Sequence, residues 1–299
     1  MANDQMTAQL SGKPGFIAAL DQSGGSTPGA LRLYGIPDSA YSGEAEMFRL
    51  VHEMRARIIT APAFTGAKVI ATILFEGTMD GEVRGRSVPA FLWEERGVVP
   101  FVKVDKGLEP ENDGVSLMRP MPTLDALLTR AVKLGVFGTK MRSVIKDASP
   151  GGISAIVEQQ IDYAKRIMAA GLVPIMEPEV SIDSPHKEQA EILLRDALHK
   201  SISELPQDAT VMVKLTIPTD HGLYADLAAD PRVLRVLALS GGYSRTEACE
   251  LLAHDPVMIA SFSRALLEGL TEGQSDAEFN AELESAVEEI YRAAVIKEP

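Results

Sequence analysis

The sequence has few features of a secreted or membrane-spanning protein. It contains a single cysteine, Cys249, so an intramolecular disulfide is excluded and a disulfide-stabilised secreted protein is not expected. The N-terminal residues show no basic start followed by an apolar run, and no apolar stretch reaches the roughly 18 residues that a bilayer span requires. We therefore expect a soluble, unprocessed, cytoplasmic protein without a membrane partner.

Basic residues are also scarce. The chain has 29 lysines and arginines against 42 aspartates and glutamates, for a formal net charge of −13 at pH 7. Nucleic acid is excluded as a partner because binding it depends largely on a basic surface. A small anionic substrate is not excluded, since charges beyond a Debye length of about 8 Å are largely screened. The positions of individual basic residues therefore matter more than their total.

Eight short apolar runs alternate with longer amphipathic stretches. The runs are residues 15–20, 69–75, 98–104, 137–142, 172–178, 210–216, 235–240 and 258–263. They are apolar at odd and even positions alike, which is typical of strands buried on both faces. Alternating strands and helices predict a parallel α/β sheet, and eight units predict closure into a single (β/α)8 TIM barrel. No linker divides the chain, so we expect one domain over residues 1–299.

The structural alternative is an open, doubly wound sheet. Such a sheet normally carries a G-x-G-x-x-G phosphate motif after its first strand, and residues 21–26 (DQSGGS) do not match it. Apolar residues at one-face spacing predict helices around residues 47–58 and 156–168, the second stopping before Gly171. A capping-box pattern predicts a further helix starting at Ser244.

Charged residues occur toward the C-terminal ends of five of the predicted strands. They are Asp21, Lys103, Lys140, Arg142, Glu177, Glu179 and Lys214. Active sites of parallel barrels lie at this end. A single charge there is often just the start of a solvated loop. Burying an unpaired charge is costly, however, so the whole set predicts a paired, working cluster.

Lys214 is the most unusual of these charges because residues 211–218 (VMVKLTIP) are otherwise mostly apolar. Desolvation and a second cation, Lys140, both favour a neutral amine, which can attack a ketone and form an iminium. We predict that Glu177 carries protons in this chemistry, that Glu179 holds the neighbouring lysines, and that Asp21 accepts a substrate hydroxyl proton. An exchange of roles between the two glutamates is the alternative. A lysine merely paired with Glu177 or Glu179 is the structural alternative.

Two groups of residues predict anion sites. Glycine-rich turns and helix N-termini bind phosphate, and the loops after strands seven and eight are the usual phosphate site of a barrel. The predicted residues are Ser240, Gly241, Gly242, Ser263 and Arg264 for the first site, and Ser23, Ser26 and Lys103 for the second. Two such sites around one lysine predict a substrate phosphorylated at both ends.

Several of these residues lie in longer motifs. The motifs are residues 18–23 (AALDQS), 102–107 (VKVDKG), 138–142 (GTKMR), 175–179 (IMEPE), 213–215 (VKL), 239–242 (LSGG) and 263–266 (SRAL). In these motifs and their order, the chain resembles the class I fructose-bisphosphate aldolases of the short bacterial type over nearly its whole length.

The resemblance implies reversible cleavage of fructose 1,6-bisphosphate to dihydroxyacetone phosphate and glyceraldehyde 3-phosphate, without a metal or cofactor. By position it makes Lys214 the Schiff-base lysine, Glu177 the acid/base group, and Lys140 and Asp21 their catalytic neighbours. It also adds Arg142 to the anion site of Ser23, Ser26 and Lys103. The partners implied are the sugar bisphosphate and the triose phosphates, and a homo-oligomer stays open.

The chain departs from animal-type relatives at two places. Gln22 stands where those relatives carry a glutamate, so an ionic role at that position does not transfer. The long C-terminal tail ending in tyrosine is also absent, and the work of that tail is expected to be done otherwise or not needed.

Three rival functions stay open at this point. A metal-dependent aldolase would need converging ligands, but the five histidines show no ligand spacing. A Schiff-base aldolase or transaldolase would act on another phosphorylated sugar. A non-enzymatic barrel would use its charged mouth for docking or assembly.

Overall fold

The computed structural model describes residues 2–23 and 27–298. Its centre is a sheet of eight parallel strands: β1 (Phe16–Leu20), β2 (Val69–Leu74), β3 (Val99–Lys103), β4 (Gly138–Ile145), β5 (Val173–Val180), β6 (Val211–Thr216), β7 (Val233–Leu239) and β8 (Ile259–Ala260). Each strand pairs with the next one along the chain. The predicted (β/α)8 barrel is therefore confirmed.

The seam between β8 and β1 closes the barrel. Sequence patterning predicts the eighth strand over residues 258–263, but the strand is only two residues long. Beyond it, the Ser261 N–H donates to the Ala238 carbonyl at 2.8 Å, and the Ala19 N–H donates to the Phe262 carbonyl at 3.0 Å. The chain after β8 thus turns from β7 to β1, which limits the length of the regular strand.

Helices follow most of the strands. They are α1 (Ala2–Gly12), α2 (Thr27–Leu33), α3 (Gly43–Thr60), α4 (Glu76–Met79), α5 (Val88–Ala90), α6 (Leu124–Lys133), α7 (Pro150–Ala169), α8 (Lys187–Ser203), α9 (Ala225–Ala229), α10 (Arg245–Ala253), α11 (Arg264–Leu267) and α12 (Asp276–Val295), with a 3-10 turn at Asp38–Ala40 and a π-helical turn at Phe91–Glu95. None of the helices within residues 2–23 and 27–298 is long and apolar enough to cross a membrane.

The three helices predicted from the sequence are present. Helices α3 and α7 contain the two predicted segments, and α7 is followed by Gly171 at φ +81°, a backbone conformation that favours glycine. Helix α10 begins after Ser244, whose side chain accepts a hydrogen bond from the Glu247 N–H at 3.3 Å. The predicted start of the helix is therefore confirmed, with the Ser244 half of the capping box formed.

Three very short strands were not predicted. Glu82–Val83 and Arg86–Ser87 form an antiparallel hairpin, and Val115–Ser116 pairs antiparallel with the end of β4. Segments of two residues carry too little alternation to be recognised in a sequence.

A glycine at the start of β4 fixes how the site strands meet. A Cβ atom on Gly138 would lie 2.2 Å from the Val173 carbonyl oxygen and 2.5 Å from the Phe101 ring, so only glycine lets these three strands approach. In the resulting register Phe101 is opposite Gly138, and Lys103 is opposite Lys140. The close approach therefore places two lysines side by side at the C-terminal ends of β3 and β4.

Candidate active site

The C-terminal ends of the strands open into a cavity of about 1340 Å³. Its lining includes all the predicted site residues that the structure describes: Asp21, Ser23, Lys103, Lys140, Arg142, Glu177, Glu179, Lys214, Ser240, Gly241, Gly242, Ser263 and Arg264. Ser26 lies outside the described residues. The charged strand residues among them were predicted to lie together at the C-terminal ends of the strands, and the cavity opens at that end.

Two lysines and two carboxylates form a continuous buried cluster at the base of this cavity. Lys140 Nζ lies 2.6 Å from Asp21 Oδ2 and 2.6 Å from Glu177 Oε2. The other oxygen, Glu177 Oε1, lies 3.0 Å from Lys214 Nζ. The four side chains come from β4, from β5, from β6 and from the residue that follows β1. Two lysines face two carboxylates, so the formal charges of the cluster cancel. This pairing lowers the free-energy cost of burying the four groups.

The cluster holds its charges strongly. Burial by itself would raise the pKa of Asp21 and of Glu177, but Lys140 and Lys214 more than offset it and lower both. Burial opposes the charge of Lys140 too, yet Asp21 and Glu177 raise its pKa well above the usual value for a lysine. Lys140 is therefore a fixed cation with two carboxylates, whereas Lys214 contacts one.

Glu179 does not do what the sequence suggested. We predicted that it would hold the neighbouring lysines, but its Oε2 instead accepts a hydrogen bond from Arg142 Nε at 2.6 Å, and Glu177 contacts both lysines. In the paired strands Glu177 lies opposite Arg142 and Glu179 lies opposite Val144. Glu179 is therefore two residues nearer the C-terminal end of β5, where it meets the Arg142 guanidinium.

Two charged residues that act electrostatically on the cluster, Asp105 and Arg55, have no role in the sequence-based prediction. Asp105 Oδ1 accepts a hydrogen bond from Lys103 Nζ at 2.6 Å, which fixes the lysine at the cavity wall. Its motif, residues 102–107, had been recognised but no role was given to the aspartate. Lysine and aspartate two positions apart beyond a strand end are a local signal that could have revealed this pair.

Arg55 is the second such residue, and it lies behind the site. It is fully buried on α3, donates to Thr78 Oγ1 at 2.9 Å, and donates to the Gln22 backbone carbonyl. Burial lowers the pKa of Arg55 to about 10, with the charge of Asp21 acting in the opposite direction. An arginine on the apolar face that carries Val51 and Ile58 is the signal that could have identified it.

The predicted glycine turn follows β7. The Tyr243 N–H donates to the Ser240 carbonyl at 2.9 Å, and Gly241 has φ +62°, in the left-handed region. A Cβ on Gly242 would lie 3.7 Å from Arg264 Nη2, so the guanidinium stands next to the turn. The loops after β7 and β8 thus bring a flexible backbone and a cation together at the rim of the cavity.

The histidines lie elsewhere. None of the five belongs to the described cavity lining; His186 pairs with Asp147 at 2.8 Å, and the rings of His221 and His254 pack against each other. Across residues 2–23 and 27–298, no group of three or more histidine, cysteine, aspartate and glutamate side chains is arranged to hold a metal ion.

A closed parallel barrel with amines and carboxylates buried at its C-terminal mouth is the architecture of an enzyme that works by covalent and acid/base chemistry. The sequence profile of the family "Fructose-bisphosphate aldolase class-I" matches residues 44–217. The chain belongs to the class I fructose-bisphosphate aldolase family, whose members are lyases.

Curated relatives match almost the full chain. The class 1 fructose-bisphosphate aldolase of Synechocystis sp. is 55% identical over 293 residues, which cover 98% of each chain. The enzyme of the same name from Porphyromonas gingivalis is 53% identical and covers 98% of this chain and 99% of its own.

Solved structures share the fold. The fructose-bisphosphate aldolase of Plasmodium falciparum superposes with a TM-score of 0.79 at 20% identity, over 100% of this chain and 96% of that one. An archaeal fructose 1,6-bisphosphate aldolase gives a TM-score of 0.57 at 13% identity, over 97% of this chain and 99% of that one.

Proposed function

We propose that this chain cleaves fructose 1,6-bisphosphate reversibly through a Schiff base on Lys214. The observation that carries the proposal is the geometry around Glu177: each of its two carboxylate oxygens contacts one of the two buried lysines. Lys140 is fixed as a cation by two carboxylates, so Lys214 is the lysine left to act as the nucleophile. The names of the Synechocystis and P. gingivalis relatives support the substrate.

Imine formation needs a proton carrier beside the nucleophile, and Glu177 lies 3.0 Å from Lys214 Nζ. In the proposed sequence Glu177 takes one proton from the Lys214 ammonium group, and the amine then attacks the C2 carbonyl. A second proton passes from nitrogen to the C2 oxygen to give a carbinolamine. Glu177 returns its proton to the C2 hydroxyl, which leaves as water, and the iminium remains.

Carbon–carbon cleavage then needs a base for the C4 hydroxyl, and we assign this role to Asp21. Lys140 and Lys214 lower the pKa of Asp21 despite its burial, so the group is a carboxylate at neutral pH. Its acceptance of the C4 hydroxyl proton lets the C3–C4 bond break, with the electron pair moving into the iminium. Glyceraldehyde 3-phosphate leaves, Asp21 returns its proton to C3 of the enamine, and water hydrolyses the iminium to release dihydroxyacetone phosphate and the Lys214 amine.

The two anion sites are assigned to the two phosphates by their distance along the sheet from Lys214. Strand β7 pairs directly with β6, and β8 pairs with β7, so the glycine turn with Ser263 and Arg264 lies beside the nucleophile. We assign this site to the C1 phosphate of the ketose half that stays bound to Lys214. Lys103, Arg142 and the Ser23 and Ser26 loop are assigned to the C6 phosphate.

Two broader proposals accompany this function. We propose that residues 1–299 act as one domain, because strands drawn from residues 16 to 260 join in one sheet. A cytoplasmic location is supported by the glycolytic role of the family and by a single buried, free cysteine.

Borohydride trapping tests the proposal. Treatment with fructose 1,6-bisphosphate and borohydride should leave a reduced adduct on the peptide that contains Lys214, located by peptide mass spectrometry. Cleavage activity should also be unchanged after incubation with EDTA. A reduced adduct on Lys140, or activity lost to the chelator and restored by a divalent metal, would contradict the proposal.

A second test concerns the glycine turn. Gly241→Ala should raise KM for fructose 1,6-bisphosphate about tenfold, because alanine at φ +62° is strained by about 1 kcal/mol and its Cβ would lie 2.6 Å from Ile182 Cγ2. The value of kcat should change less. Gly222→Ala is the matched control, since that glycine has φ +83° but its Cβ would have no neighbour nearer than 3.5 Å. Equal KM values in both variants would argue against a phosphate role for the turn.

A further inference from the structure

Three side chains form a hydrogen-bonded chain from the back of the barrel to the cavity. Arg55 Nη2 approaches Gln22 Oε1 at 3.4 Å in addition to its bond to the Gln22 backbone carbonyl. Gln22 Nε2 donates to Ser263 Oγ at 2.6 Å. Gln22 follows β1 and Ser263 follows β8, so the chain crosses the seam where the barrel closes.

The direction of these hydrogen bonds is fixed by chemistry. A guanidinium has donors and no acceptor, so the part of the Gln22 amide that faces Arg55 must be its carbonyl oxygen. The NH2 group then faces Ser263, whose Oγ accepts. Such an assignment follows from the network and not from the shape of the amide. A hydroxyl that accepts from Gln22 has its own hydrogen left to donate in another direction.

We propose that Gln22 is a positioning residue that orients the Ser263 hydroxyl to donate its hydrogen to a substrate phosphate. Ser263 lines the cavity and lies next to Arg264 in the site assigned above to the C1 phosphate. Its side chain does not cap α11, the short helix that begins after it, so the hydroxyl is not engaged by that helix. The inference rests on the proposed function for the identity of the anion, but the orientation of the hydroxyl rests on Arg55 and Gln22 alone.

Replacing Gln22 by glutamate would remove this orientation of the hydroxyl. A glutamate side chain has acceptors in place of the NH2 donor, and a buried arginine beside it would keep it ionised. It would then accept the Ser263 hydroxyl hydrogen and withdraw that donor from the phosphate. Because glutamine and glutamate have nearly the same shape, Gln22→Glu reverses the polarity of the network with little change in packing.

The test measures trapping of two ketones on Lys214 by borohydride: dihydroxyacetone phosphate and dihydroxyacetone. Gln22→Glu should raise the half-saturating concentration of dihydroxyacetone phosphate about 10- to 100-fold, the range for losing a hydrogen bond to a charged group. The amount of adduct at saturation should be unchanged. The half-saturating concentration of dihydroxyacetone, which has no phosphate, should also be unchanged. Gln207→Glu, an exposed position in the turn before β6, controls for added charge.

A double-mutant cycle separates hydroxyl orientation from simple charge repulsion. The effect of Gln22→Glu should shrink when Ser263 is alanine, because no hydroxyl is then left to orient. Additive effects, or an equal loss for the two ketones, would overturn the inference. Titration with inorganic phosphate repeats the cycle without any imine. If the wild type forms no adduct on Lys214, the proposed function fails, and this titration still decides whether Gln22 acts through Ser263.

Discussion

Lys214→Met should abolish aldol cleavage, with kcat for fructose 1,6-bisphosphate falling by about 10⁴-fold or more, as expected when a covalent nucleophile is removed. Methionine keeps the length of the side chain but has no amine, so no imine can form and no electron sink is available for C3–C4 cleavage. Borohydride should no longer trap substrate on the peptide that contains residue 214. The assay is aldehyde release under saturating substrate.

Lys214→Arg is the matched variant, because it keeps the positive charge next to Glu177 but provides no nucleophile. It should be as inactive as Lys214→Met. It should also be closer to the wild type in free energy of unfolding, since the charge balance of the cluster is preserved. Substantial activity in either variant, with the fold intact by circular dichroism, would show that another lysine carries the imine.

Lys140→Met should have the largest effect on stability. The side chain is 4% exposed and contacts Asp21 and Glu177 at 2.6 Å each, so its loss leaves two buried carboxylates short of a cation. We expect the free energy of unfolding at neutral pH to fall by about 3–5 kcal/mol. Activity should fall as well, because this lysine holds Asp21 and Glu177, the two proposed proton carriers, in position. Urea unfolding curves measure the first effect and single-turnover assays the second.

Lys140→Met should also change how the free energy of unfolding depends on pH. In the wild type the folded-state pKa values of Asp21 and Glu177 are lowered, so these groups contribute stability above their unfolded values and lose it as the pH falls through the folded ones. Without Lys140, burial becomes the dominant influence and both pKa values should rise. The stability difference between wild type and variant should therefore be largest near pH 8 and shrink toward pH 5.

Lys146→Met provides the comparison for this experiment. Lys146 also pairs with a carboxylate, Glu111 at 2.8 Å, but both side chains are about half exposed. Its loss should cost less than about 1 kcal/mol, as for other surface ion pairs. A similar small cost for Lys140→Met, or a difference that does not vary with pH, would mean that the buried cluster does not hold its charges as described.

Much of the fold and the composition of the site could be predicted from the sequence because both follow from periodicity. Strands buried on both faces stand out as apolar runs, and a charge within such a run is conspicuous, as at Lys214. Parity then predicts which charges share a face. The structure brings Asp21, Lys140, Glu177 and Lys214 into one cluster, although their chemical roles stay a proposal.

What could not be predicted depends on contacts between distant parts of the chain. The sequence of residues 175–179 does not indicate whether Glu177 or Glu179 contacts the lysines, because the contact depends on the register of β4 against β5. Arg55 lies 33 residues after Gln22 on a different element, and its approach to Gln22 exists only after α3 packs against the barrel. The short eighth strand likewise reflects closure on β1 and not the local sequence pattern.

The buried cluster also draws its side chains from both halves of the chain. Asp21 and Lys140 come from the half of the chain with the first four strands, and Glu177 and Lys214 come from the half with the last four. The ion pair between Lys140 and Glu177 joins the two halves. Each half thus supplies one amine and one carboxylate, but the half with Lys214, the proposed nucleophile, lacks Lys140, which pairs with the proposed proton carrier Glu177. A split version of this enzyme would have to reassemble before either fragment had any chemistry to perform.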